Sequence, residues 1–132
     1  MKETQASIYQ WAVETFGEAK SELHIYGRAK DEFQELEMAL IDGVQLPDYT
    51  FRNPERIVEE IADVVIVLSQ IAERLGLDLG EAIDRKMAIN REREWRTNGD
   101  GTGQHVEEFP GSVVAPDAGI FACSPEDAGR AL

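Results

Sequence analysis

The chain has 132 residues, with 26 acidic residues against 13 basic ones and a net charge of −13. That surplus repels a polyanion, so duplex nucleic acid is excluded as an expected partner. One cysteine, Cys123, and two distant histidines, His24 and His105, leave no internal disulfide and no cysteine-based zinc site. The apolar run Val64–Leu68 is far too short to span a bilayer, and Met1–Gln5 has no apolar signal core, so a soluble cytoplasmic protein is expected. A domain of this length buries only about two-thirds of its unfolded surface, which makes partner copies an expectation.

Helical periodicity runs from Ser7 to about Trp95, and four main helices are expected. Ser7 is read as the cap of the first, which carries Ile8, Trp11, Ala12 and Phe16 at three- and four-residue spacing. After breaks at Gly17 and near Gly27, the second is expected from about Arg28 to Ile41. Its apolar stripe is Ala29, Phe33, Leu36 and Leu40, and Gly43 ends it. A long connection leads to Asn53-Pro54, which reads as an N-cap followed by proline at the first helical position. This third helix, ending before Gly76, is apolar nearly all round from Ile61 to Leu68 and is expected at the centre. The fourth runs from near Asp78 through Arg93. From Asn98 onward glycine and proline interrupt any period, and a loop or extended tail is expected. The reading is all-α: a helical domain over residues 1–97 and a tail over residues 98–132, with two helix hairpins as the economical architecture.

The chemistry lies in acidic pairs. Glu32 and Glu35 on the second helix, and Glu60 and Asp63 on the third, stand three residues apart, so each pair projects from one helix face. Two facing pairs make an oxygen cage suited to Mg²⁺ or Mn²⁺, open to phosphate oxygens and water. In so acidic a chain such pairs also arise by chance as solvated surface, and Glu81 with Asp84 is read that way. Glu60 differs, because at about 100° per residue it falls among the directions of Val64, Val67 and Ile71. A carboxylate in that stripe needs a cation or donors to offset desolvation. Glu32 borders the stripe of its own helix. On the fourth helix Lys86, Asn90 and Arg93 prolong the apolar line of Leu79 and Ile83. They suit nonbridging phosphate oxygens, although pairing of Lys86 and Arg93 with surface acids fits position equally well.

Three segments in this order, Asp31-Glu32-Phe33-Gln34-Glu35-Leu36, Glu59-Glu60-Ile61-Ala62-Asp63-Val64 and Asp84-Arg85-Lys86-Met87-Ala88-Ile89-Asn90-Arg91-Glu92-Arg93, resemble the MazG-like family of all-α nucleotide pyrophosphohydrolases. The resemblance covers roughly Ile8 to Val106. It implies a homo-oligomeric four-to-five-helix bundle, a homodimer or homotetramer, with Mg²⁺ held by Glu32, Glu35, Glu60 and Asp63. Mn²⁺ is able to substitute, and more than one ion per site is implied. Lys86, Asn90 and Arg93 match the family's phosphate-binding positions. Two further segments, Ile8-x-x-Trp11-x-x-x-Thr15-Phe16-Gly17 and Trp95 followed by Asp100-Gly101-Thr102-Gly103-x-His105-Val106, resemble a bacterial and phage branch associated with dATP and dGTP. On that footing a host cytoplasm is the expected location if the chain is phage-encoded.

The expected reaction converts a purine (d)NTP, with guanine slightly favoured, to (d)NMP and pyrophosphate. Glu35 is assigned as proton acceptor, because it stands beside the ligands in a less buried direction than Glu32. Lys86 and Arg93 are assigned to the leaving pyrophosphate. Trp11 and Trp95 are assigned to stacking on the base, with a core role for Trp11 equally compatible with its spacing. The alternatives are a pyrimidine dNTP (dUTP or dCTP) pyrophosphatase and a noncatalytic nucleotide-binding helical module. A di-iron oxidase is disfavoured, because neither histidine completes a Glu-x-x-His pair.

Overall fold

The structure, a computed structural model, describes residues 2–107. Four helices carry it: α1 Gln5–Phe16, α2 Glu22–Gly43, α3 Pro54–Arg74 and α4 Leu79–Glu92. Two short antiparallel hairpins accompany them: β1 Val44–Gln45 with β2 Thr50–Phe51 lies between α2 and α3, and β3 Trp95–Thr97 with β4 Gly103–His105 follows α4. The chain divides into two units, Met1–Met87 and Ala88–Leu132. Among the described residues no helix is long and apolar enough to cross a membrane.

In the first unit α1 begins earlier than its periodicity suggests. Thr4, not Ser7, is the N-cap: the Ser7 amide donates to the Thr4 hydroxyl, and the Ser7 hydroxyl, at the third helical position, accepts from the Thr4 amide. The helix ends at Gly17, whose φ of 83° is open to glycine at no steric cost. Helix α2 also starts earlier than expected, at Glu22, because the Ser21 hydroxyl accepts from the His24 amide and caps it. Gly27 therefore lies inside the helix instead of breaking it. The connection after α2 holds the β1–β2 pair, in register Val44 with Phe51 and Gln45 with Thr50. Helix α3 starts as its sequence indicates, with Asn53 accepting from the Arg56 amide and Pro54 in the first turn. Asp78 opens α4 by accepting from the Glu81 amide.

The core is small. Ile25, Ala29 and Val67 form its centre, with Ala12, Ala39 and Val64 also buried. The inward face of α2 is Ile25, Ala29, Glu32 and Ala39, so the stripe is turned from the expected one, and Phe33 and Leu40 are exposed. Small side chains let α2 lie close to α3, and Ala29 is fully enclosed. Helix α3 packs against both α1 and α2, the central place its composition predicts, yet Val58, Ile61 and Val65 remain exposed on another face. The Gln5 amide ties the start of α1 to the end of α3, donating to Glu73 at 2.8 Å and to the Leu77 carbonyl at 2.7 Å, while its oxygen accepts from the Leu79 amide.

The second unit holds the end of α4 and the β3–β4 hairpin, where an irregular tail is expected from sequence. Trp95 pairs with His105, Arg96 with Gln104 and Thr97 with Gly103. Asp100 closes the turn by accepting from the amide and hydroxyl of Thr102, and these two bonds hold its carboxyl below the ordinary aspartate range. A Cβ at Gly103 would stand 2.8 Å from the Arg96 carbonyl oxygen, so the strands approach at that point only because the residue is glycine. The expected tail from residue 108 onward, with Cys123, lies outside the described residues.

Candidate functional site

Helices α2 and α3 bring three carboxylates together. One oxygen each from Glu32, Glu60 and Asp63 lie within 4.8 Å of one another, a separation that a single divalent cation or a small cluster of them can bridge. Glu35 stands one turn beyond Glu32, exposed, and its carboxylate acts on that of Glu32. Three of the four acids identified by spacing thus meet from two helices.

Their burial is the reverse of the sequence expectation. Glu32 is the enclosed member at 5% exposure, Glu60 is half-buried and Asp63 exposed. The reason is the rotation of the α2 face: Glu32 follows Ile25 and Ala29 at helical spacing and turns inward with them. Burial pushes the Glu32 carboxyl above its ordinary value, the neighbouring Glu35 carboxylate pushes the same way by favouring a proton on Glu32, and the Arg28 guanidinium opposes both. Arg28, one turn earlier on α2, forms an ion pair with Glu32 and a longer contact of 3.7 Å with Asp31. A buried carboxylate crowded by other carboxyls and neutralised by a single half-exposed arginine is a donor set with room for more positive charge. The residues present therefore fit a divalent metal, with oxygen donors only.

Two cavities adjoin the cluster. The first, of about 500 Å³, has Glu32, Glu35 and Asp63 in its wall and opens between α1, α2 and α3 onto Trp11, Phe16 and Ile25. Trp11 and Phe16 meet edge to face with centroids 5.6 Å apart, and both are largely exposed to this space. His24, Arg28 and Gln70 add polar groups to its wall. The second cavity, of about 770 Å³, is lined by Arg28, Asp31, Gln34, Glu35, Met38, Arg56 and Glu60. Glu35 and Arg28 belong to both.

Arg74 braces the wall of the first cavity. From the end of α3 it reaches Glu22 at 3.0 Å, Glu18 at 3.2 Å and the Tyr9 hydroxyl at 3.4 Å, and Tyr9 donates to Glu18 at 2.7 Å. The Glu22 carboxyl is held below the ordinary range by its own backbone amide and by Arg74.

The other sequence candidates stand as follows. Lys86 is exposed on α4, and no ion pair of Lys86 or Arg93 occurs among the described residues. Asn90 and Arg93 are half-buried in the second unit. Trp95 is half-exposed there, with its indole donating to the Asn90 carbonyl at 2.7 Å and its ring edge-on to His105. Arg28, Arg56 and Gln70 also line the two cavities, although the acidic-pair pattern does not single them out. Their signal was helical spacing: Arg28 and Arg56 each precede the first acid of a pair by four residues, and Gln70 follows Asp63 by seven.

With this geometry in place, comparison with known proteins is specific. A solved structure of a cyanophage S-2L MazG-like pyrophosphohydrolase, bound to dGDP and three catalytic Mn²⁺ ions per active site, is similar with a TM-score of 0.56 and 29% identity, over 78% of this chain and 93% of that one. A dATP/dGTP diphosphohydrolase of Salmonella phage PMBT28 is 51% identical over 47 residues, 36% of this chain and 16% of the relative. A dATP/dGTP diphosphohydrolase of cyanophage S-2L is 45% identical over 53 residues, 40% of this chain and 48% of the relative. The matched segment thus spans less than half the length of each of these two relatives. The MazG-like family model matches residues 32–109, from the first acid of the α2 pair to beyond the β3–β4 hairpin, and the chain belongs to the MazG-like family.

Proposed function

We propose that the chain is a metal-dependent nucleotide pyrophosphohydrolase that converts a purine deoxynucleoside triphosphate to its monophosphate and pyrophosphate. The observation that carries this reading is the meeting of Glu32, Glu60 and Asp63 within 4.8 Å at the edge of a cavity with an aromatic wall. The names of the phage relatives, both dATP/dGTP diphosphohydrolases, and the dGDP and Mn²⁺ of the similar structure support the purine and the metal.

Glu32, Glu60 and Asp63, with Glu35 beside them, would hold Mg²⁺ or Mn²⁺, more than one ion per site. Divalent ions there would supply positive charge against the triphosphate and lower the pKa of the attacking water. Water adds to the α-phosphorus, the bond to the bridging oxygen breaks, and pyrophosphate leaves. Glu35, exposed and shared by both cavities, accepts the water's proton. Lys86, Asn90 and Arg93, at the family's motif positions, bind phosphate oxygens and offset charge on the leaving group. Trp11 stacks on the base in the first cavity, where its large exposed ring faces open space. Trp95 is assigned a second stacking role.

The protein acts as a homodimer or homotetramer on this reading. Support comes from the exposed Phe33, Val58, Ile61 and Val65, which a single copy leaves in water. The test is a panel of all ribo- and deoxyribonucleoside triphosphates with Mg²⁺ and with Mn²⁺. Monophosphate and pyrophosphate from dGTP or dATP, absent in Glu60→Gln, are expected. Preference for dUTP or dCTP would correct the base, and nucleotide binding without turnover would leave a binding module.

A further inference from the structure

Both acidic pairs are preceded by an arginine at the same distance. Arg28 stands four residues before Glu32, and Arg56 four before Glu60, so the pattern Arg-x-x-x-Glu-x-x-acid occurs once on α2 and once on α3. Four residues is one helical turn, which puts each arginine on the face of its acid. Helix stability does not explain the arrangement, because an acid preceding the base is the more favourable order for such pairs. What the two arginines share is the second cavity, whose wall contains both of them together with Glu35 and Glu60.

The Arg28–Glu32 ion pair is lopsided. Glu32 is enclosed, whereas the Arg28 side chain is 55% exposed. The carboxylate therefore depends on a cation, while the guanidinium can leave for water or another anion at little cost. An arginine cannot ligate a metal, so a divalent ion arriving at Glu32 competes with Arg28 for the same oxygens. Arg28 also lines both cavities, and its planar fork suits phosphate oxygens.

We propose that Arg28 is a placeholder cation: it neutralises Glu32 until divalent metal loads, and the displaced guanidinium then binds phosphate oxygens in the polar cavity it shares with Arg56. This rests on the metal-site reading above. It makes the second cavity, which shares Arg28 and Glu35 with the aromatic one, the receptor for the pyrophosphate end of the substrate, and makes metal loading a condition for phosphate capture.

The test uses the full chain and calorimetric titration without nucleotide, first with Mn²⁺ and then, at saturating Mn²⁺, with the Mn²⁺ complex of inorganic pyrophosphate. Arg28→Gln is expected to bind Mn²⁺ more tightly, by about threefold to tenfold, because a competing cation of ion-pair strength has gone. It is expected to bind the pyrophosphate complex about tenfold more weakly, as loss of a charged hydrogen-bond donor requires. Damage to the fold would weaken both. Arg28→Lys keeps the charge without the fork, so its Mn²⁺ affinity stays near native while pyrophosphate binding still weakens; if Arg28→Gln does not fold, this variant decides alone. Unchanged or weaker Mn²⁺ binding by Arg28→Gln, or native pyrophosphate affinity in either variant, overturns the proposal. Mn²⁺ binding by the native chain that Glu60→Gln leaves intact would instead refute the underlying metal site.

Discussion

Replacing Glu32 by Gln separates a metal ligand from a structural ion pair, because the two roles predict opposite effects in metal-free protein. Glu32 is 5% exposed, and its surroundings raise its carboxyl above the ordinary value, mainly through burial. A raised value means that the folded chain keeps a proton the unfolded chain has already lost. Metal-free stability from this group is therefore full below the ordinary glutamate range and declines as pH rises from that range through the raised folded value. At neutral pH a glutamine removes this penalty at the cost of the Arg28 pair, whose guanidinium returns to water. We expect Glu32→Gln without metal to be at least as stable as the native chain, with a gain of about 1 kcal/mol. Metal reverses the order. At 100 times its Kd a single site-bound Mn²⁺ stabilises the native fold by about 2.7 kcal/mol. For a chain of this length that is roughly 8–16 °C in melting temperature. Glu32→Gln should lose most of that shift. The assay is thermal unfolding followed by circular dichroism, with Mn²⁺ and with chelator. A metal-free variant destabilised by about 3 kcal/mol or more, the usual cost of breaking a buried pair, would refute the reasoning. So would an undiminished Mn²⁺ shift.

Further outcomes follow from the same geometry. Glu35→Gln should lower kcat by about 100-fold or more, the usual contribution of a general base, and should also weaken Mn²⁺ binding because the same carboxylate helps to hold the metal; a kcat deficit that persists at saturating Mn²⁺ in single-turnover kinetics separates the two roles. Trp11→Ala should raise KM for the nucleotide by about 10-fold or more while changing kcat little, since stacking on a base is worth about 1–3 kcal/mol; an unchanged KM would return Trp11 to a purely structural role. Arg74→Met should loosen Tyr9 and Glu18 from the cavity wall and raise KM more than it lowers kcat. Because Glu22 is held below the ordinary range, its contribution is present above that range and is lost as pH falls through its lowered value, so native chain and Arg74→Met should converge in melting temperature as pH falls below the ordinary glutamate range.

Much of the helical layout was legible in the residues. Asn53-Pro54 marks the start of α3 with side-chain chemistry that acts locally, and it does so whatever packs nearby. Gly27 misleads, because a helical glycine costs only about 1 kcal/mol against alanine. The Ser21 cap and the packing of Ile25 and Ala29 against α3 carry the helix through it. The β3–β4 hairpin is too short for strand alternation to register, although Asn98-Gly99-Asp100-Gly101 supplies the turn residues. The acidic pairs were visible as spacing, but which acid is buried depends on how α2 is rotated. Ile25 and Ala29 decide that, and their fit against Val67 is a tertiary fact. Arg28 and Arg56 went unnoticed as part of the site because arginines on an acidic helix read as ordinary surface pairs until the cavity shows what they face.

The most direct test of the central claim is turnover of dGTP in ¹⁸O-labelled water with Mn²⁺, with the products resolved by mass spectrometry and Glu60→Gln run in parallel. One labelled oxygen in dGMP, none in pyrophosphate, and no turnover by the variant are expected. Label in the pyrophosphate, or equal turnover by Glu60→Gln, would contradict the claim.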